Sequence, residues 1–90
     1  MSDFYCVKCK NKGISINRRA GRERPSGHLK KLWCLNCQEE INHVEIQEFA
    51  TNYTYEDFCM EYEYGNFDEH QNRILPFGEF KTKLNKEGLL

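Results

Sequence analysis

The chain has no run of apolar residues near the roughly 20 that cross a bilayer, and its mean hydropathy is clearly polar. Its opening stretch, MSDFYC, lacks the basic-then-apolar pattern of a secretory signal, so a cytoplasmic protein without a membrane contact is expected. There is no glycine-rich phosphate loop, no metalloprotease helix motif and no nucleophile with a matching base. Enzyme activity and a small-molecule substrate are therefore not expected. Proline is scarce, and no repeat, low-complexity tract or linker divides the chain, so residues 1–90 read as one domain. Aliphatic bulk is also in short supply. A chain of 90 residues buries too small a fraction of its surface for such a core to suffice, and some other staple is expected.

The cysteines supply it. Five of them make an odd count, and a reducing compartment disfavours structural disulfides, so a disulfide framework is not the reading. Four fall into two pairs of identical spacing, Cys6/Cys9 in YCVKCKNKG and Cys34/Cys37 in LWCLNC. Zinc held by thiolates needs four sulfurs about 2.3 Å from the metal at the corners of a tetrahedron, and a two-residue gap lets one tight turn present two of them. The 24 residues between the pairs are enough for two strands and a loop that bring the second turn opposite the first. One structural Zn2+ on Cys6, Cys9, Cys34 and Cys37 is the expected cofactor. Four protein ligands close such a site, and its binding free energy, about 10 kcal/mol or more, becomes folding free energy. A pair of redox dithiols lacks the βαβ surroundings that motif favours, and an iron–sulfur cluster remains open on ligand count alone. Lys8, Lys10, Lys12 and Lys30 lie close enough in sequence to soften the negative charge of a metal bound by four thiolates.

The pattern along the chain predicts an α+β fold: a small zinc ribbon of antiparallel β hairpins in 1–49, then an acidic helical part in 50–90. FYC leads into the first pair, and Gly13 lets the chain turn back. ISIN alternates like a half-buried strand, LKKLW returns as a strand into Cys34, and INHVEIQEF offers Val44 and Ile46 on one face with His43, Glu45 and Gln47 on the other. The period then changes. Tyr55, Phe58, Cys59 and Tyr62 fall on one face of an amphipathic helix that Thr54 and Asp57 cap and Gly65 ends. RILPF reads as extended, and GEFKTKLNKEG as a short C-terminal helix with Phe80 and Leu84 facing in. Cys59 is expected as a buried core cysteine, and His28 and His43 as surface or sheet residues, not ligands. HVE at His43–Glu45 matches the start of the zinc deaminase signature, but no Pro-Cys-x-x-Cys follows it.

Charge is strongly divided. Residues 1–38 carry a net +7 and residues 39–90 a net −8, and from Glu45 to Glu69 there are eight acids and no lysine or arginine. The loop NRRAGRERPSGHLKK, with Arg18, Arg19, Arg22, Arg24, Lys30 and Lys31, reads either as a nucleic-acid contact or as a solvated loop. Glu56, Asp57, Glu61 and Glu63, with Tyr64 among them, are expected on the outer faces of the helix. Such a surface repels phosphates and suits a basic protein, although acids kept for solubility would look the same in sequence.

The run YCVKCKNKG … GHLKKLWCLNC … NHVEI … YTYEDF resembles small zinc-ribbon proteins encoded by bacteriophages and prophages of Gram-positive bacteria, over most of the chain to Phe67. The chain is also similar to metal-binding anti-CRISPR proteins that inhibit the type II RNA-guided DNA nuclease. The resemblance implies the cytoplasm of an infected bacterium and carries over the ligands Cys6, Cys9, Cys34 and Cys37, but no binding face. The resulting expectation is a zinc-stapled inhibitor that binds a basic, nucleic-acid-handling host nuclease and blocks nucleic-acid loading. A nucleic-acid-binding regulator acting through the 18–31 loop is the alternative, and a structural accessory subunit is a third.

Overall fold

The computed structural model describes residues 1–17 and 25–89 of the chain. Within them the fold is α+β: strands β1 (Ser2–Cys6), β2 (Lys12–Ile16), β3 (Leu29–Cys34) and β4 (Glu39–Gln47) precede helices α1 (Tyr55–Glu63) and α2 (Phe77–Lys86). The strands form one antiparallel sheet in the order β2-β1-β4-β3. As the spacing predicts, the cysteine pairs lie at the turns of the β1–β2 and β3–β4 hairpins.

Position in the sheet explains where the pattern misleads. β2 is an edge strand, and Ile14, expected on a half-buried face, is 52% exposed. β4 is central and covered on both sides, so Ile41, His43, Val44 and Glu45 are all buried. The expected outward face of His43 and Glu45 is thus an interior one, as a strand buried on both faces loses the polar alternation of a half-solvated one. Glu45 Oε1 lies 3.6 Å from His28 Nε2 across that face.

The other face carries the aromatic core. Val44 pairs with Tyr5 on one side and Leu29 on the other. Phe58 of α1 lies over Tyr5 at 5.8 Å between ring centroids and contacts Tyr62 and Phe67 at 6.2 and 6.1 Å. Such ring pairs add packing to a core with few aliphatic residues.

The helix ends follow the sequence signals. Thr54 N–H donates to Asp57 Oδ2 at 2.9 Å, Gly65 adopts φ +77°, and Asn66 N–H returns to the Glu61 carbonyl at 2.9 Å. The buried stripe of α1 is nevertheless rotated from expectation. Phe58 and Glu61 are buried, Cys59 and Tyr62 only partly so, and Tyr55 is exposed. Beyond α1, Phe67 bridges Arg73 around a turn held by Asp68 Oδ1, which accepts from the backbone N–H of His70 and Asn72. In α2 Phe80 and Leu84 face inward as expected, and Gly88 ends the helix at φ +72°.

Candidate metal centre

The two cysteine turns are near copies of one another. In the first, the Cys6 carbonyl accepts from Lys10 N–H at 2.8 Å, and in the second the Cys34 carbonyl accepts from Gln38 N–H at 2.8 Å. Lys10 and Gln38, one residue past each pair, both sit in the left-handed region, at φ 69° and 58°. That conformation is uncommon for residues with a side chain, and here it closes each turn so that both sulfurs point the same way. Backbone N–H groups also reach the sulfurs: Lys8 N–H lies 3.4 Å from Cys6 Sγ, and Cys37 N–H 3.4 Å from Cys34 Sγ. The sheet then apposes the turns, because Val7 N–H bonds the Asn42 carbonyl at 3.1 Å and Cys6 pairs with His43 in β4.

The result is a cluster in which all four sulfurs lie within 4.8 Å of one another. Cys6 Sγ is 4.0 Å from Cys37 Sγ, and Cys9 Sγ is 3.6 Å from Cys34 Sγ. Ligands 2.3 Å from a tetrahedral metal stand ~3.8 Å apart, whereas a disulfide needs about 2.05 Å. The measured spacings suit four ligands around one ion, and all five cysteines are free thiols. Burial pushes the Cys6 thiol up to about 12 and the Cys37 thiol up to about 11. Burial also opposes ionisation of Cys9, but the Asn11 backbone bond and the neighbouring thiols bring it down to about 7. Four sulfurs this close resist ionising together unless a cation shares their charge.

Three of the four lysines expected to soften that charge pair with carboxylates. Lys8 Nζ is 2.9 Å from Glu39, Lys10 Nζ 4.0 Å from Glu63, and Lys12 Nζ 3.5 Å from Asp3. Lys10 also lies over the rings of Tyr55 and Tyr62, at 6.0 and 5.7 Å, and the Tyr62 hydroxyl donates to the Lys8 carbonyl at 3.3 Å. The first cysteine turn is therefore docked onto α1.

Of the residues placed on the outer faces of the helix, Glu56, Glu63 and Tyr64 are exposed and Asp57 is half-buried in the cap. Glu61 is a correction: it has no exposed surface. It lies one turn beyond Phe58 on the same inward stripe, and four hydrogen bonds from three side chains converge on its carboxylate. Arg73 donates from Nε at 2.8 Å and Nη2 at 2.9 Å, Asn66 Nδ2 donates at 2.6 Å, and the Tyr53 hydroxyl donates a further short bond. Burial works against the charge of Arg73, yet the bonds and charge of Glu61 hold its pKa above the ordinary arginine value. No spacing rule could have found this network, because its members come from three separate segments.

Lys31 is exposed on β3 and Lys30 is half-buried, while Arg18, Arg19, Arg22 and Arg24 lie outside the described residues. No helix among the described residues is long and apolar enough to cross a membrane. Fold and site together define a small α+β protein with four cysteines gathered where they could hold a metal ion. Comparison of the chain with protein-family models, curated proteins and solved structures found no match.

Proposed function

We propose that the ion is a single structural Zn2+ and that the chain is a zinc-stapled interaction protein, not an enzyme. One observation carries this reading: four sulfurs at tetrahedral spacing complete the coordination of one zinc and leave no position for water or substrate. Bound zinc would hold the two hairpins together and stabilise the Cys6 and Cys37 thiolates that burial otherwise disfavours.

The partner we propose is a basic, nucleic-acid-handling host protein, with the type II RNA-guided DNA nuclease as the class the sequence resemblance implies. Binding would inhibit it by covering the surface that loads nucleic acid. Support comes from α1, a helix without lysine or arginine whose exposed Glu56 and Glu63, capping Asp57 and neighbouring Tyr64 offer negative charge with an aromatic among it. Buried Glu61 is left out of that contact. The test is direct: zinc-loaded protein is titrated into the purified nuclease with and without guide RNA, beside the double variant Glu56→Lys/Glu63→Lys. The expected result is a complex that competes with nucleic-acid loading and that the charge reversal weakens. Absence of any complex would overturn the assignment of the partner.

The exposed Lys31, seven positions beyond Arg24 in a basic stretch, favours direct nucleic-acid binding as the second reading. It predicts affinity for duplex or single strands that falls steeply with salt, and a flat titration at low salt would exclude it.

A further inference from the structure

Beside the cysteine cluster a cavity of about 280 Å3 opens between the two hairpin turns, lined by Asn11 to Ile14, Trp33 to Asn36 and His43. Its depth and its mouth differ in chemistry. His43, on central strand β4, is 1% exposed, whereas Ile14, Trp33 and Leu35 are 52%, 56% and 79% exposed. The His43 ring is fixed by its Nδ1, which lies 2.8 Å from the Ile41 carbonyl. A carbonyl only accepts, so Nδ1 carries the proton, and in the neutral ring Nε2 is a bare acceptor. Among the described residues Nε2 has no partner. Gly13, itself a lining residue, keeps the ring open to the cavity: a Cβ there would stand 3.5 Å from Nε2.

An unpartnered acceptor on a ring that is 1% exposed, facing a cavity rimmed by large apolar side chains, selects its occupant. A purely apolar group would strand Nε2 away from water. An anion would meet a lone pair. A group that fits must have an apolar body against Trp33 and Leu35 and a donor at its far tip. The volume is just under the range of about 300–1,000 Å3 that small-molecule sites span, which suits one side chain. Among side chains, tyrosine places an O–H at the end of an aromatic ring, whereas tryptophan carries its N–H on the side.

We propose that this cavity is an anchor site for a tyrosine side chain presented by a partner protein, with the phenol O–H donating to His43 Nε2. Exposed apolar residues around one opening are what such anchors cover. The site is separate from the acidic helix surface and does not depend on which protein α1 meets.

Trp33 is the chain's single tryptophan and lines the cavity, so its fluorescence reports occupancy. Zinc-loaded protein is titrated with N-acetyltyrosine amide and N-acetylphenylalanine amide. The expected result is a saturable change at Trp33, at least tenfold tighter for the tyrosine compound, with a shift of the His43 Nε2 nitrogen resonance on binding. Gly13→Val fills the cavity and abolishes the response. Gly13→Ala, whose Cβ makes only ordinary contact with the ring, weakens it and serves if the valine variant does not fold. Equal affinity for the two amides, a response that never saturates, or unchanged binding to a folded Gly13 variant would overturn the proposal. None of these readouts involves a nuclease, so failure here is distinct from failure of the partner assignment.

Discussion

Cys6, Cys9, Cys34 and Cys37 gather the two hairpin turns around a single point, whereas Tyr53, Glu61, Asn66 and Arg73 tie α1 to its flanking segments through a web of shared bonds. The first arrangement is repeated and local: two copies of one turn, each with a left-handed residue in the same place. The second is distributed. Glu61 lies on α1, Tyr53 precedes it, and Asn66 and Arg73 follow it around the Phe67–Arg73 bridge. On the reading proposed above, the first arrangement depends on an ion from solution, while the second is complete within the chain. Loss should therefore look different in the two regions.

The largest effect is expected from taking away the metal. Chelation of the zinc-loaded protein, or Cys9→Ser with Cys37→Ser, should remove on the order of 10 kcal/mol and leave the hairpins unfolded, read by circular dichroism and metal stoichiometry. A chain that keeps its full signal without metal would break the comparison at its first term. Acid should act the same way more gradually. Protons compete with the metal for the thiolates, so affinity falls as pH falls, measurable by competition with a chelating dye between pH 8 and pH 5.

Next comes the web. Glu61→Ala leaves the Arg73 guanidinium, Tyr53 and Asn66 without their shared acceptor, and a loss of about 3–5 kcal/mol in urea unfolding of the zinc-loaded protein is expected. The double variant Glu61→Leu/Arg73→Met should lose less than Glu61→Ala alone, because no charge is then stranded. Equal losses would mean that packing, not charge pairing, holds that region. Asp57→Ala, which removes the acceptor for Thr54 N–H, should cost about 1 kcal/mol. Smallest is Glu56→Lys, an exposed change expected within about 0.5 kcal/mol of wild type, so that any weakening of a complex reports binding and not folding.

The same contrast explains what could be read from the chain beforehand. The cysteine cluster was legible because gathering four sulfurs from two tight turns imposes a spacing, and the spacing survives in the letters CVKC and CLNC. The hairpins followed from it, and the capped helix from Thr54, Asp57 and Gly65. Periodicity could not say that β4 is covered on both faces, since that depends on what packs over His43 and Glu45. Nor could it say that Glu61, one acid among several, turns inward. An isolated glutamate reads as solvated until Arg73, twelve positions later, is known to fold back onto it. Ile14 misled for the converse reason: alternation marks a strand but not whether that strand lies at the edge of its sheet.

Lys10 occupies a backbone geometry that glycine would adopt at less cost, yet its ammonium spans from the first cysteine turn to Tyr55, Tyr62 and Glu63 of α1. The side chain acts as a tether between the first cysteine turn and the helix. Any slackening of the turn is then felt at α1, and on the reading proposed above the acidic surface would be in its working arrangement only while an ion holds the four sulfurs.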